Sequence, residues 1–285
     1  MNIKALLFFA VVGSGLLFSN GVSAQSPKVD FPSPSPTGSL KQRVGLTDIE
    51  ISYSRPGVKG RPIFGGLVPY GEVWRTGANG RTTISFSTPV KLNGKDIPAG
   101  QYSLFTIPGE TEWTIIINKD TKSSPFAYNA SNDVVRVTAH AAKLSMPIET
   151  FSILINAITD DSARIDLLWE HTVVPIHLTL DLVSVLGPQI ETAMAAPGEK
   201  KPYYQAAMFY FDHGLDLQKA KSWIDSATVS GDTYYVEYLK AKILAKSGDK
   251  DGAIAAAKKS SELAGKADGA SGYLKLNQDL IDGLK

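Results

Sequence analysis

The chain has 285 residues, with 29 Lys and Arg against 28 Asp and Glu, 43% hydrophobic residues and no cysteine. Balanced charge argues against bulk attraction to nucleic acid or anionic lipid. The absence of thiols excludes disulfides, thiolate metal sites and a lipidated cysteine, so stability must come from an ordinary hydrophobic core in one or two domains.

The first residues read as a signal peptide. Lys4 supplies a charged start, Ala5 to Phe18 is apolar, and Val22-Ser23-Ala24 resembles a small-residue cleavage site. The apolar stretch is shorter than the roughly 20 residues of a membrane span, so no stable membrane insertion is expected after processing. Cleavage after Ala24 would leave a periplasmic or secreted chain with 28 bases and 28 acids. Residues 25–39, with four Pro among Ser, Thr and Gly, read as an extended spacer.

From Leu40 to about Leu180 the pattern is that of strands. Ile49, Ile51 and Tyr53 alternate with polar residues, the period of a half-buried strand. Val90–Leu92 and Lys95–Ile97 flank Asn93-Gly94, a pair suited to a tight hairpin. Further strands are expected at 102–107, 113–118, 134–139, 151–158, 165–169 and 173–180, with a turn at Asp160-Asp161-Ser162. Strands so spaced, without helical patterns between them, predict antiparallel pairing in a β-sandwich, or else a barrel.

After Asp181 the period becomes helical. Pro202 suits the opening of a helix. Tyr234, Tyr238, Ala241 and Ala245 share one face, and Ala253, Ala256, Ala257, Ser260 and Ala264 share another. Ala220 and Ala253 stand 33 residues apart, a spacing that resembles tetratricopeptide repeats, although a generic α-hairpin cap would give a similar pattern. The predicted class is therefore α+β: a β-sandwich over 40–181, then a small all-α, repeat-like domain over 182–285 that offers a surface for a protein partner.

The stretch Arg55 to Arg81 stands out. It holds seven Gly and three Pro, yet also Phe64, Tyr70, Trp74, four Arg and Lys59, against one acid, Glu72. Gly and Pro exclude regular structure, while the large side chains provide surface to bury, so an ordered loop is expected. Arg55, Lys59, Arg61, Arg75 and Arg81 are candidates to converge on an anion, and Tyr70 and Trp74 to stack on a flat ligand. Asn79 closes the same candidate set. The alternative is a clasp in which Arg75 pairs with Glu72 or Glu170 and pins the loop. Between these, the expectation is that Arg75 is structural and that Arg55 or Arg61 faces the ligand.

Two segments of this loop, YSRPGVKGR (Tyr53 to Arg61) and PYGEVWRTGAN (Pro69 to Asn79), resemble a family of exported bacterial proteins known only as a domain of unknown function, number twenty-nine eleven. The likeness continues through AGQYSLF (Ala99 to Phe105) and Trp169-Glu170, covering about residues 30 to 180, and a repeat-like tail accompanies this domain in similar proteins. It implies no activity and no catalytic residues. Where family members commonly place Glu-Ala after the Gly-Ala-Asn tripeptide, Gly80 and Arg81 stand here.

No GxSxG elbow, HExxH or phosphate-binding Gly-rich motif occurs. His171 and His177 would lie about 20 Å apart on an extended strand, too far to share a metal. Asp249-Lys250-Asp251-Gly252 lacks the later ligands of a calcium loop and reads as a helix-opening turn. No cofactor or metal is expected. The preferred reading is binding of an anionic small molecule or glycan by the Arg/Trp loop. A hydrolase using Glu170 or Glu72 with His171, and a pure scaffold, are the alternatives.

Overall fold

The computed structural model describes residues 30–124, 126–198 and 200–285. The expected signal peptide and the first part of the spacer, 25–29, lie outside these residues. Ten strands run Thr37–Val44 (β1), Thr47–Ser54 (β2), Thr82–Phe86 (β3), Val90–Leu92 (β4), Lys95–Ile97 (β5), Gly100–Ile107 (β6), Glu112–Asn118 (β7), Asp133–His140 (β8), Ala142–Asn156 (β9) and Ser162–Thr179 (β10). Six helices follow: Leu182–Ala195 (α1), Tyr203–Asp212 (α2), Leu217–Ser230 (α3), Tyr234–Lys246 (α4), Lys250–Gly265 (α5) and Gly272–Leu284 (α6).

The strands form two antiparallel sheets, β1-β2-β3-β6-β7-β8 and β5-β4-β10-β9, and their inward side chains make one core. In β2 the alternation places Ile49, Ile51 and Tyr53 inside. The β4–β5 hairpin turns on Asn93 (φ 43°) and Gly94 (φ 80°), the left-handed pair a two-residue loop needs. Asn93 also locks the hairpin in place: its side chain accepts from His177 N–H (2.8 Å) and donates to the Thr138 carbonyl (2.6 Å).

Several boundaries differ from the sequence reading. The spacer ends early, because β1 begins at Thr37 and pairs with β2 along its whole length. β3, which the sequence pattern does not single out, fills the place between β2 and β6. The strand expected over 151–158 extends back to Ala142 and stops at Asn156. The two strands expected at 165–169 and 173–180 are one, β10. Its register slips around Glu170, which sits at φ 51°. Before the slip Ile165, Leu167 and Trp169 are buried; after it Val174, Ile176 and Leu178 are. The irregularity thus moves the inward face from odd to even residues, which keeps both halves on one core and makes a single strand look like two in sequence.

Four of the six helices begin at side-chain caps. Asp181, Asp216, Thr233 and Asp249 accept from backbone N–H groups of α1, α3, α4 and α5 respectively. Asp249 accepts from Gly252, so the calcium-like tetrapeptide is a helix start. α1 carries Pro188 inside it. From α2 to α6 each helix packs on the next. Ala220 of α3 and Ala253 of α5, the pair 33 residues apart, are both fully buried, since only small side chains let the helix axes approach. Leu180 and Leu182 belong to the sandwich core, and His213 Nε2 lies 3.0 Å from Asp160 Oδ2, so the first two helices dock on one end of the sheets. No described helix is long and apolar enough to cross a membrane.

Candidate functional site

The loop from Arg55 to Arg81 folds onto the sandwich because its aromatic residues enter the core. Trp74 continues the sheet beyond β3: its N–H donates to the Thr106 carbonyl (2.7 Å) and its carbonyl accepts from Thr106 N–H (2.9 Å). Its indole, 9% exposed, stacks on Trp169 (5.8 Å, 16° between planes) and meets Phe151, Trp113 and Phe64 edge-on. Such a cluster of large rings, each burying a wide area, anchors the middle of the loop by packing. Trp74 Nε1 donates to the Gly77 carbonyl (3.0 Å). Gly77 is required there, because a Cβ on it would meet the Ser54 carbonyl oxygen and Thr82 Oγ1, each at 3.0 Å, in a backbone of φ 156°.

The basic residues do not converge on one point. Arg55 donates Nε to the Phe151 carbonyl (3.1 Å) and Nη2 to Ser152 Oγ (2.8 Å), stitching the loop to β9. Lys59 is exposed; its backbone N–H donates to Glu149 Oε1 (3.0 Å). Arg61 donates Nε to the Val58 carbonyl (3.0 Å) and Nη2 to the Gly57 carbonyl (2.6 Å) within its own turn. Asn79, at φ 53°, donates to the Ser35 carbonyl (3.0 Å) and so ties the loop to the segment before β1. Arg81 is buried as a hub: it donates to the carbonyls of Asp120, Ser123, Ser124 and Ala127 and meets the Asp120 carboxylate at 3.4 Å. Tyr70 is exposed, its ring over Gly65.

Arg75 differs from all of these. Its Nε is buried and has no hydrogen-bond acceptor, and among the described residues no carboxylate pairs with it. The expected partners Glu72 and Glu170 do not reach it. Its guanidinium carbon lies 4.9 Å from the ring centre of Phe126, itself 78% exposed. Burial pulls the Arg75 pKa below its ordinary value, the mark of a charge taken from water without a counter-charge. Trp169, 1% exposed, carries the second orphaned donor: its Nε1 also lacks an acceptor.

These two residues line one cavity of about 230 Å³, together with Arg61, Val68, Trp74 and Gly77. Arg75 and Trp74 also wall a second space of about 420 Å³, lined further by Glu72, Phe105, Phe126 and Tyr128. We term the first, which Trp169 also lines, the inner lobe, and the second, which Phe126 also lines, the outer lobe; Trp74 and Arg75 wall both. A buried donor left unpaired costs about 1–3 kcal/mol, so two beside one cavity form a place where an acceptor would gain more than at ordinary surface. A separate, largely apolar cavity of about 320 Å³ between the hairpin β4–β5 and α1 is lined by neither Arg75 nor Trp169.

A family model described as Protein of unknown function (DUF2911) matches residues 35–178, half of the chain. The chain belongs to this family. No curated protein and no solved structure matches it. The DUF2911 match spans β1 nearly to the end of β10 and contains every residue of both lobes. Outside the lobes lie two acid–base candidates of the sequence reading. Glu170 sits at the register slip of β10 and His171 Nδ1 lies 3.1 Å from the Leu144 carbonyl; neither lines a lobe, and only Glu72 does. Among the described residues no group of three His, Asp or Glu is placed to hold a metal.

Sequence reasoning missed Trp169, Phe126 and Tyr128. Trp169 reads as a core residue, which it is, and nothing in the sequence marks its indole N–H as lacking an acceptor. Phe126 and Tyr128 lie in an irregular segment with no periodicity to mark them.

Proposed function

We propose that this protein is an exported, non-catalytic binding protein for a small anionic ligand, held by Arg75 and Trp169 in the inner lobe. The observation that carries the reading is the pair of buried donors without acceptors, Arg75 Nε and Trp169 Nε1, on one cavity. A carboxylate or similar oxyanion would supply the acceptor that these donors lack and the counter-charge that Arg75 lacks, and it suits the planar guanidinium fork. The helical region, read as repeat-like, is the surface for a protein partner.

The test is thermal denaturation of the whole chain with small carboxylates, sulfate and their neutral amide counterparts. Anions are expected to raise the melting temperature and the neutral compounds to leave it unchanged, with the anion effect lost in Arg75→Gln and reduced in Trp169→Phe. An anion effect that persists in Arg75→Gln refutes the assignment.

A further inference from the structure

The outer lobe gives the ligand a second end, an inference that rests on the anion-binding reading above. Arg75 walls both lobes, so a molecule whose anionic head reaches Arg75 and Trp169 extends its body into the space bounded by Phe105, Phe126, Glu72 and Tyr128. Two features of that space select the body. Aromatic rings bound it, and Phe126 is 78% exposed, so a ligand there would cover apolar surface that the chain leaves in water. Glu72 is exposed and makes no salt bridge among the described residues, so its carboxylate can accept from a ligand donor.

Charge decides what kind of donor. Glu72 and Arg75 face the same lobe with opposite signs, and the nearby Asp133 is occupied by Arg136 at 2.8 Å and by the Tyr128 hydroxyl at 2.6 Å. The lobe therefore carries no surplus negative charge to favour an ammonium, and a neutral hydroxyl suits Glu72 better. A ring with apolar C–H faces, hydroxyl donors on its rim and one carboxylate combines all three requirements. We infer that the two lobes together take a sugar acid: a single hexuronic acid ring, free or at the end of a glycan, with its carboxylate on Arg75 and Trp169 and its hydroxyls on Glu72.

Titration calorimetry with glucuronate, glucose and cyclohexanecarboxylate on the full chain tests this. Glucuronate should bind about tenfold or more tightly than cyclohexanecarboxylate, as one hydrogen bond to a charged acceptor implies, and glucose should not bind measurably. In Glu72→Ala, an exposed position where folding is safe, that preference should disappear while cyclohexanecarboxylate binding persists. In Arg75→Gln both acids should lose binding. If both acids need Arg75 but bind equally in the wild type, the sugar-acid inference falls and the anion site stands. If neither acid binds, or Arg75→Gln leaves both affinities unchanged, the anion site itself falls and the inference with it. Glucose binding as tightly as glucuronate overturns both.

Discussion

Arg75 and Trp169 come from segments nearly a hundred residues apart, yet both line the same cavity and each holds a buried N–H without an acceptor. Arg55 shows the opposite arrangement, with two donors engaged on β9. Arg55 thus has the contacts of a clasp, whereas among the described residues Arg75 pairs with no carboxylate. Denaturant unfolding of two variants checks this. Arg55→Ala should lose about 1.5–3 kcal/mol, the usual worth of hydrogen bonds from a charged donor. Arg75→Gln should change stability by less than about 1 kcal/mol, because the lost contact with Phe126 is offset by removing an uncompensated charge. Equal losses would mean that Arg75 has a structural partner after all.

A second expectation concerns Trp74. Its ring is stacked on Trp169, packed against Phe151, Trp113 and Phe64, and only 9% exposed, so it is a packing residue and not a stacking platform. Trp74→Ala should cost about 3–5 kcal/mol through the cavity it opens, and should lower anion affinity only by loosening the lobe walls. A stable Trp74→Ala protein that has lost all binding would reverse this assignment.

The sandwich was readable wherever alternation ran unbroken, as in β2, or where a turn pair such as Asn93-Gly94 declared itself. It was hidden where geometry changed the phase. The slip at Glu170 divides β10 into two apparent strands, and β3 follows so closely on the Gly-rich loop that its short alternation merges with it. The loop itself was recognisable as ordered, and Arg75 and Trp74 as important. Which Arg is left unpaired depends on contacts across the sheets: Phe151 and Ser152 for Arg55, and the 120–127 segment for Arg81. No local pattern encodes those contacts. α1 lies within the stretch read as helical after Asp181, although no separate helix was marked out there, and Pro188 lies inside it.

Asp120 gives a pH prediction for the loop that carries Phe126. Hydrogen bonds from the Ser123 side chain and from the backbone N–H groups of Ser123 and Lys122 hold its pKa down to about 2, with a smaller contribution from the Arg81 charge. Its folded pKa lies below the ordinary 3.8, so its contribution to stability is present above that value and is lost as pH falls through about 2. The amide resonances of Lys122 and Ser123 should titrate together with a midpoint near 2, and Asp120→Asn should abolish the titration. A midpoint near 3.8 would mean that the turn does not hold the carboxylate.

The last prediction concerns where the sandwich ends. The sequence places the boundary at Asp181, where the hydrophobic period changes. Leu182, just beyond it and within the first turn of α1, is buried in the same core as Leu178 and Leu180. A fragment of residues 30–181 should therefore fold, but with lower stability than one of residues 30–195. The difference should be about 1.5–3 kcal/mol, the value of burying one leucine side chain. The 30–195 fragment should also retain the anion response of the full chain, because both lobes lie before residue 170. Urea unfolding of the two fragments, followed by carboxylate titration of the longer one, decides the matter. An unfolded 30–195 fragment would show that α2, whose Phe209 packs on the sandwich core, and the contact between His213 and Asp160 are needed to complete it, and the chain would then be one folding unit.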